Sequence, residues 1–190
     1  MSKVKFISVQ FLRDQTPIED NVDADKLTPW IYKAQDTKLQ QALGTTFYDR
    51  LKQGTIDTIE GGANPLNALE LALIKDYIKQ MLVEWTFYLC MPHLNYKMTN
   101  KAVSQENAQF SNPSALDEIK YLRANQKNLA EFYTKRLIEY LCDHTEDFPE
   151  YNNPADKENL HKSKRAYSSG IAMPKGNKRS YSKFYKRYTD

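Results

Sequence analysis

Residues 66–91 constrain the fold more than any other stretch of this chain. Leu69, Leu73, Ile74, Tyr77, Ile78, Met81, Leu82, Trp85, Tyr88 and Leu89 recur at helical spacing. Together they spread too widely round a helix for a single flat contact. A helix with so broad an apolar face needs cover on more than one side, so it is expected to be the central one. Asn67 and Glu70 have capping-box spacing at its start. Pro92 is expected to stop it.

The remaining elements follow from caps and periodicity. Ser8 can cap a brief helix, VQFLRDQ, before Thr16-Pro17, with a short edge strand over residues 3–9 as the competing reading. Thr28 is the expected N-cap of the next helix and Pro29 its first residue. Asp23 to Leu27 is a candidate preceding turn. Ile31, Ala34, Gln35, Leu39, Ala42 and Leu43 carry this helix to Gly44. Thr45 is then expected to cap a short helix, TFYDRLKQ, that closes at Gly54, leaving 54–65 as loop. Residues 92–113 are polar and without a clear period, which marks a long loop of the functional or partner-ordered kind. The last long helix is expected over 115–143. Leu116, Ile119, Leu122, Leu129, Phe132, Tyr133, Arg136, Leu137, Tyr140 and Leu141 are assigned to its inner side. Residues 145–160 have the composition of an irregular linker.

These elements define an all-α protein. The expected form is a small helical bundle with two long helices, an extended loop and an extended C-terminal tail. Residues 1–160 form the body and 161–190 the tail. No stretch is long and apolar enough to cross a bilayer. The start lacks the pattern of a signal peptide, which points to intracellular synthesis. Cys90 and Cys142 both end apolar helical segments and are read as reduced, buried thiols.

Charge divides the chain. The tail holds nine basic residues and one acid, Asp190, for a net +8, which leaves the body at −5. Such a split suggests that the two parts meet different partners. In the tail, basic residues alternate with aromatics, and Tyr167, Arg179, Tyr181, Phe184, Tyr185 and Arg187 are the anchor candidates. Lys and Arg can neutralise phosphates while tyrosines stack on bases. The same residues can equally anchor in an acidic protein groove. A merely solubilising tail is the third reading. Without sustained periodicity, the tail is expected to be disordered in the isolated chain.

No catalytic constellation stands out. His93, His144 and His161 are not at metal-ligand spacing, and no phosphate-loop, dinucleotide or nucleophile-elbow motif occurs. Asp76, Glu84, Asp117, Glu118, Glu131 and Glu139 are scattered as on solvated faces. Gly61-Gly62 reads as a turn. The expectation is a non-enzymatic protein without metal or cofactor.

One ordered set of residues resembles a known family. Ile18-Glu-Asp-Asn-Val-Asp23, Leu27-Thr-Pro29, Ile31, Ala34-Gln35 and Leu43-Gly44-Thr-Thr-Phe-Tyr48 resemble the opening of head–tail connector proteins of tailed bacteriophages. Trp85-Thr-Phe-Tyr88, Asn95-Tyr-Lys97, Thr99-Asn-Lys-Ala-Val-Ser-Gln105 and Lys120-Tyr-Leu-Arg123 are similar to the ring proteins of crAss-like gut phages. The resemblance spans residues 4–160 and leaves the tail out. It implies a structural virion protein of the neck, made in the host cytoplasm. It also implies a homo-oligomeric ring of about twelve subunits below the portal. Such a ring extends the DNA channel without specific DNA binding. Its implied partners are the portal and the adjacent neck or tail rings, with no membrane and no cofactor. An acidic body suits such a channel, since an acidic wall makes few phosphate contacts. The alternative is a nucleic-acid-binding protein that uses the tail.

Overall fold

The structure is a computed structural model that describes residues 4–98, 103–105 and 116–152, together with Leu160 and Lys162. It is all-α apart from one short hairpin. Helix α1 is Val9–Gln15, capped as expected by the Ser8 hydroxyl, which accepts from the Phe11 amide at 3.0 Å. Helix α2 covers 24–43. It starts at Ala24 after Asp23, so Thr28 is not its cap and Pro29 lies inside it. The reason is Leu27, which is fully buried one turn before Ile31 and draws the preceding turn into the helix. Proline at 29 forgoes only one backbone bond there.

A π-helical turn at Gln35–Leu39 widens α2. The extra residue lets Ala34, Gln35, Leu39, Ala42 and Leu43 all face the core. Gln35 uses that position to hold the N-terminal segment. Its side-chain oxygen accepts from the Phe6 amide at 3.0 Å, and its nitrogen donates to the Val4 carbonyl at 3.1 Å. Phe6 and Ile7 are thereby buried beside α2. Gly44 ends the helix at φ 80°, a backbone conformation that side chains strain to reach.

Helix α3 is Thr45–Glu60, twice the expected length, with Thr45 as its first residue and Gly44 in the cap position. Gly54 does not close it. A Cβ there would lie 2.6 Å from both Leu66 Cδ2 and Arg50 Nη1, so this glycine serves close packing. The true stop is Gly61, at φ 76°. The following turn is tied down from both sides. Arg50 donates to the Asn64 and Pro65 carbonyls, Asp57 accepts from the Asn64 amide, and Thr58 accepts from the Leu66 amide.

Helix α4 covers 68–95, again with a π-helical turn, at Ile74–Ile78. The capping box is formed: Asn67 Oδ1 accepts from the Glu70 amide at 2.7 Å, and Glu70 Oε2 accepts from the Asn67 amide at 2.8 Å. Glu70 also pairs with Arg50 at 2.9 Å, which ties the start of α4 to α3. Met81, Leu82 and Val83 are consecutive and all fully buried, which is possible only for a helix covered on several sides. Helices α1, α2 and α5 supply that cover. Pro92 does not stop α4. Leu94 packs on the core and His93 stacks on Trp30, carrying the helix one turn past the missing N–H.

The expected loop begins instead with a hairpin. Strands β1, Tyr96–Met98, and β2, Val103–Gln105, pair antiparallel with Tyr96 opposite Gln105. Helix α5, Leu116–Asp143, then returns antiparallel to α4. The pairs Tyr88–Arg123, Trp85–Thr134 and Tyr77–Tyr140 mark the descent. A last short helix, α6, Pro149–Asn152, lies where an irregular linker was expected. Phe148 and Tyr151 hold it in place, both about 1% exposed, with ring centroids 5.7 Å and 6.0 Å from Phe47.

Gln35 gives a direct test of this packing. Gln35→Leu keeps the volume but strands the Phe6 amide and the Val4 carbonyl. It is expected to cost about 1–3 kcal/mol and to speed amide exchange at Phe6. Unchanged denaturant midpoint and exchange would contradict the assignment.

Candidate functional site

The surfaces that remain open after the core is built are the candidates for function. The first lies on α5. Its body-facing line is Ile119, Gln126, Ala130, Leu137 and Leu141, with the Thr134 hydroxyl accepting from Trp85 Nε1 at 2.8 Å. Leu122, Leu129 and Phe132, assigned to the inner side from sequence, are 52%, 42% and 59% exposed. Tyr121 is also exposed. Small Ala130 and polar Gln126 and Thr134 let α5 come close to α4, and this turns the bulkier line outward. The result is an apolar stripe about 17 Å long on one flank of α5. Arg136 is exposed too and lies over the Tyr77 ring.

The second feature is the root of the tail. Stacked and tilted rings run from Tyr77 through Tyr140, Phe148 and Phe47 to Tyr151. Lys162 closes this path. Its ammonium lies 3.8 Å from the Tyr151 ring centroid and donates to the Tyr151 carbonyl at 2.7 Å. Leu160 is tied to the first residue of α3: the Thr45 amide donates to its carbonyl at 2.9 Å, and its own amide donates to Thr45 Oγ1 at 3.0 Å. The chain therefore leaves for the tail from a fixed point between α3 and α6. The six tail candidates, Tyr167, Arg179, Tyr181, Phe184, Tyr185 and Arg187, lie outside the described residues.

The third feature is a groove of about 530 Å³ between the start of α2 and the end of α4. Asn21, Val22, Asp25, Lys26, Pro29, Trp30, His93 and Leu94 line it. Trp30 stacks on His93 with centroids 4.2 Å apart, and the Lys33 ammonium lies 4.0 Å from the Trp30 ring centroid. Partial burial and the neighbouring Lys33 and Arg123 charges lower the His93 pKa. His144 instead stacks on Tyr140 and engages the Tyr140 carbonyl through Nδ1 at 3.0 Å. His161 lies outside the described residues.

The scattered acids do not converge. Glu84 accepts from Gln126 and is raised by burial, while Glu131 and Glu139 meet Lys127 and Lys135 on the same helix. The Asp117 and Glu118 side chains are outside the described residues. Among the described residues, no three His, Cys, Asp or Glu side chains are grouped to hold a metal ion. No helix among them is long and apolar enough to cross a membrane.

The residues Ala34-Gln35 and Leu43-Gly44 to Tyr48 form one corner of the fold. Gln35 holds the N-terminal segment, Gly44 makes the turn, and Tyr48 donates to Asp36 Oδ1 at 2.8 Å. Burial and the Asp36 carboxylate hold the Tyr48 phenol in its protonated form. Their role is structural. The chain belongs to a family of unknown function, DUF6712, whose model matches residues 39–159. The match takes in α3 to α6 and ends before the tail. No curated protein matches the chain, and no solved structure does.

Sequence reading missed the stripe and the groove for a common reason. Apolar residues of α5 occupy a wide arc, and periodicity alone does not say which half faces inward. The pair of Ala130 and Gln126 on one line was the available signal. The groove arises from Pro92 failing to end α4, which no local pattern announced.

The cysteines allow a chemical check. Cys90 is fully buried and burial pushes its thiol up to about 12, so at pH 8 it stays a neutral, poor nucleophile. Cys142 is half-buried. Thiol labelling at pH 8 should modify Cys142 at least about tenfold faster than Cys90, with Cys90 reacting only on unfolding. Equal rates in the native protein would contradict this packing.

Proposed function

We propose that this chain is a structural virion protein, a head–tail connector subunit that forms a ring below a phage portal. In this reading it is not an enzyme and needs no cofactor. The observation that carries the proposal is the exposed stripe of Tyr121, Leu122, Leu129 and Phe132. Exposed large apolar side chains aligned along one flank of a long helix mark a protein contact, and a neighbouring copy of the same chain is the partner that a ring supplies. Further support comes from the order of the motifs that resemble connector proteins. The net −5 of the body suits a wall along which DNA slides. The tail then reaches the portal or an adjacent ring from its fixed root.

Two experiments test the reading. Leu129→Asp with Phe132→Asp places charges on an already exposed line, so the monomer should keep its helical content. Its assembly into rings on the portal should fall at least about tenfold, because each buried charge costs several kcal/mol. Wild-type assembly by this variant would count against the proposal. Removing residues 163–190 keeps Lys162 and the ring path beneath it, and should leave the body folded while abolishing docking to the portal or the next ring. Particle assembly unchanged by the truncation would count against a docking role for the tail.

A further inference from the structure

Leu160 and Lys162 hold to the body by a different kind of contact from α6 just before them. Phe148 and Tyr151 fix α6 through buried rings. Asn152 closes that helix on itself: its side-chain nitrogen donates to the Thr145 carbonyl at 2.9 Å and to the Phe148 carbonyl at 3.3 Å. Leu160, by contrast, is 38% exposed and meets Thr45 through its backbone. Lys162 is half-buried and meets α6 through its ammonium.

These polar contacts complete two helix ends. Thr45 is the first residue of α3, so its amide has no acceptor within the helix. Gly44, in the cap position, has no side chain to take that amide. The Leu160 carbonyl takes it instead, at 2.9 Å. In return Thr45 Oγ1 accepts from the Leu160 amide at 3.0 Å, and it also accepts from Gln40 Nε2 at 3.2 Å. Two residues on, the Lys162 ammonium lies 3.8 Å from the Tyr151 ring centroid. It donates to the Tyr151 carbonyl at 2.7 Å and to Asn152 Oδ1 at 3.3 Å, at the C-terminal end of α6. One short stretch thus clasps the start of α3 and the end of α6. Water can replace each of these bonds on opening, whereas lifting Phe148 or Tyr151 exposes apolar rings. The stretch can therefore open below the free energy of global unfolding.

We propose that residues 160–162 are a latch that opens as one unit while α3 and α6 stay folded. Seated, it makes the tail leave from the root between those two helices. Released, it adds residues 153–162 to the free length of the tail. Those ten residues extend its reach by at most about 35 Å. The latch thus sets two lengths for the tail, and a partner that binds only the longer one holds the latch open. This inference concerns the free chain and does not depend on the ring reading.

Amide hydrogen exchange and side-chain NMR of the full chain test it. The Thr45 amide reports on Leu160 directly, because the helix offers it no acceptor. The Thr45 and Leu160 amides should be protected at least about tenfold less than that of fully buried Leu82, through an opening that low denaturant leaves unmoved. The Tyr151 ring beneath Lys162 should shift the Lys162 ε-proton signals upfield. Lys162→Ala removes one clasp and should speed exchange at Thr45 and Leu160 at least about threefold, with Leu82 unchanged. Thr45→Val removes a bond of the other clasp and should move the Lys162 ε-proton signals toward the free-lysine position. Three results would overturn the proposal. They are Thr45 and Leu160 exchanging only with Leu82 in global unfolding, Lys162→Ala leaving both amides unchanged or speeding Leu82 equally, and Lys162 signals that stay shifted in Thr45→Val, which makes the two clasps independent.

Discussion

Helix α4 cannot be satisfied by any one neighbour. Met81, Leu82 and Val83 follow one another in sequence and are all fully buried, so water is excluded from more than half of the helix circumference at that level. The rest of the bundle answers this demand. α2 and α5 flank α4, α1 closes part of a further side, and Gln35 holds the N-terminal segment on the same core. Truncating a residue such as Leu82 leaves a cavity of the kind that costs about 2–5 kcal/mol, a large share of what a domain of this size has to spare.

Covering α4 also determines what is left uncovered. Close approach of α5 through Ala130, Gln126 and Thr134 rotates Leu122, Leu129 and Phe132 outward. Continuation of α4 past Pro92 brings His93 against Trp30 and shapes the groove. The ring path from Tyr77 to Tyr151 fixes where the chain departs for its tail. The three surfaces offered for interaction are thus consequences of core packing rather than separate additions to it.

Much of the fold was legible where a local interaction decides. Ser8 and the Asn67–Glu70 capping box each form a specific hydrogen bond, and Gly44 takes a backbone conformation that favours glycine. Reading failed where tertiary contacts outweighed local preference. Gly54 has the composition of a helix end but packs against Leu66 inside α3. Pro29 and Pro92 look like boundaries, yet buried Leu27 and the contacts of Leu94 and His93 carry the helices past them. Neither π-helical turn has a sequence signature. For the candidate site, the wide apolar arc of α5 was visible but its inward half was not, because that depends on how near α4 lies. The tail's chemistry was plain from its composition, and its residues beyond Lys162 lie outside the described structure.

We propose that this helical body is a ring subunit of a phage neck. Cryo-electron microscopy of the native particle, or of the protein mixed with its candidate portal, tests it most directly. The account predicts ring density below the portal in which the Leu122, Leu129 and Phe132 stripe of each copy is buried against the next. Density elsewhere in the particle, protein spread along packaged nucleic acid, or a neck from which this chain is missing would contradict it.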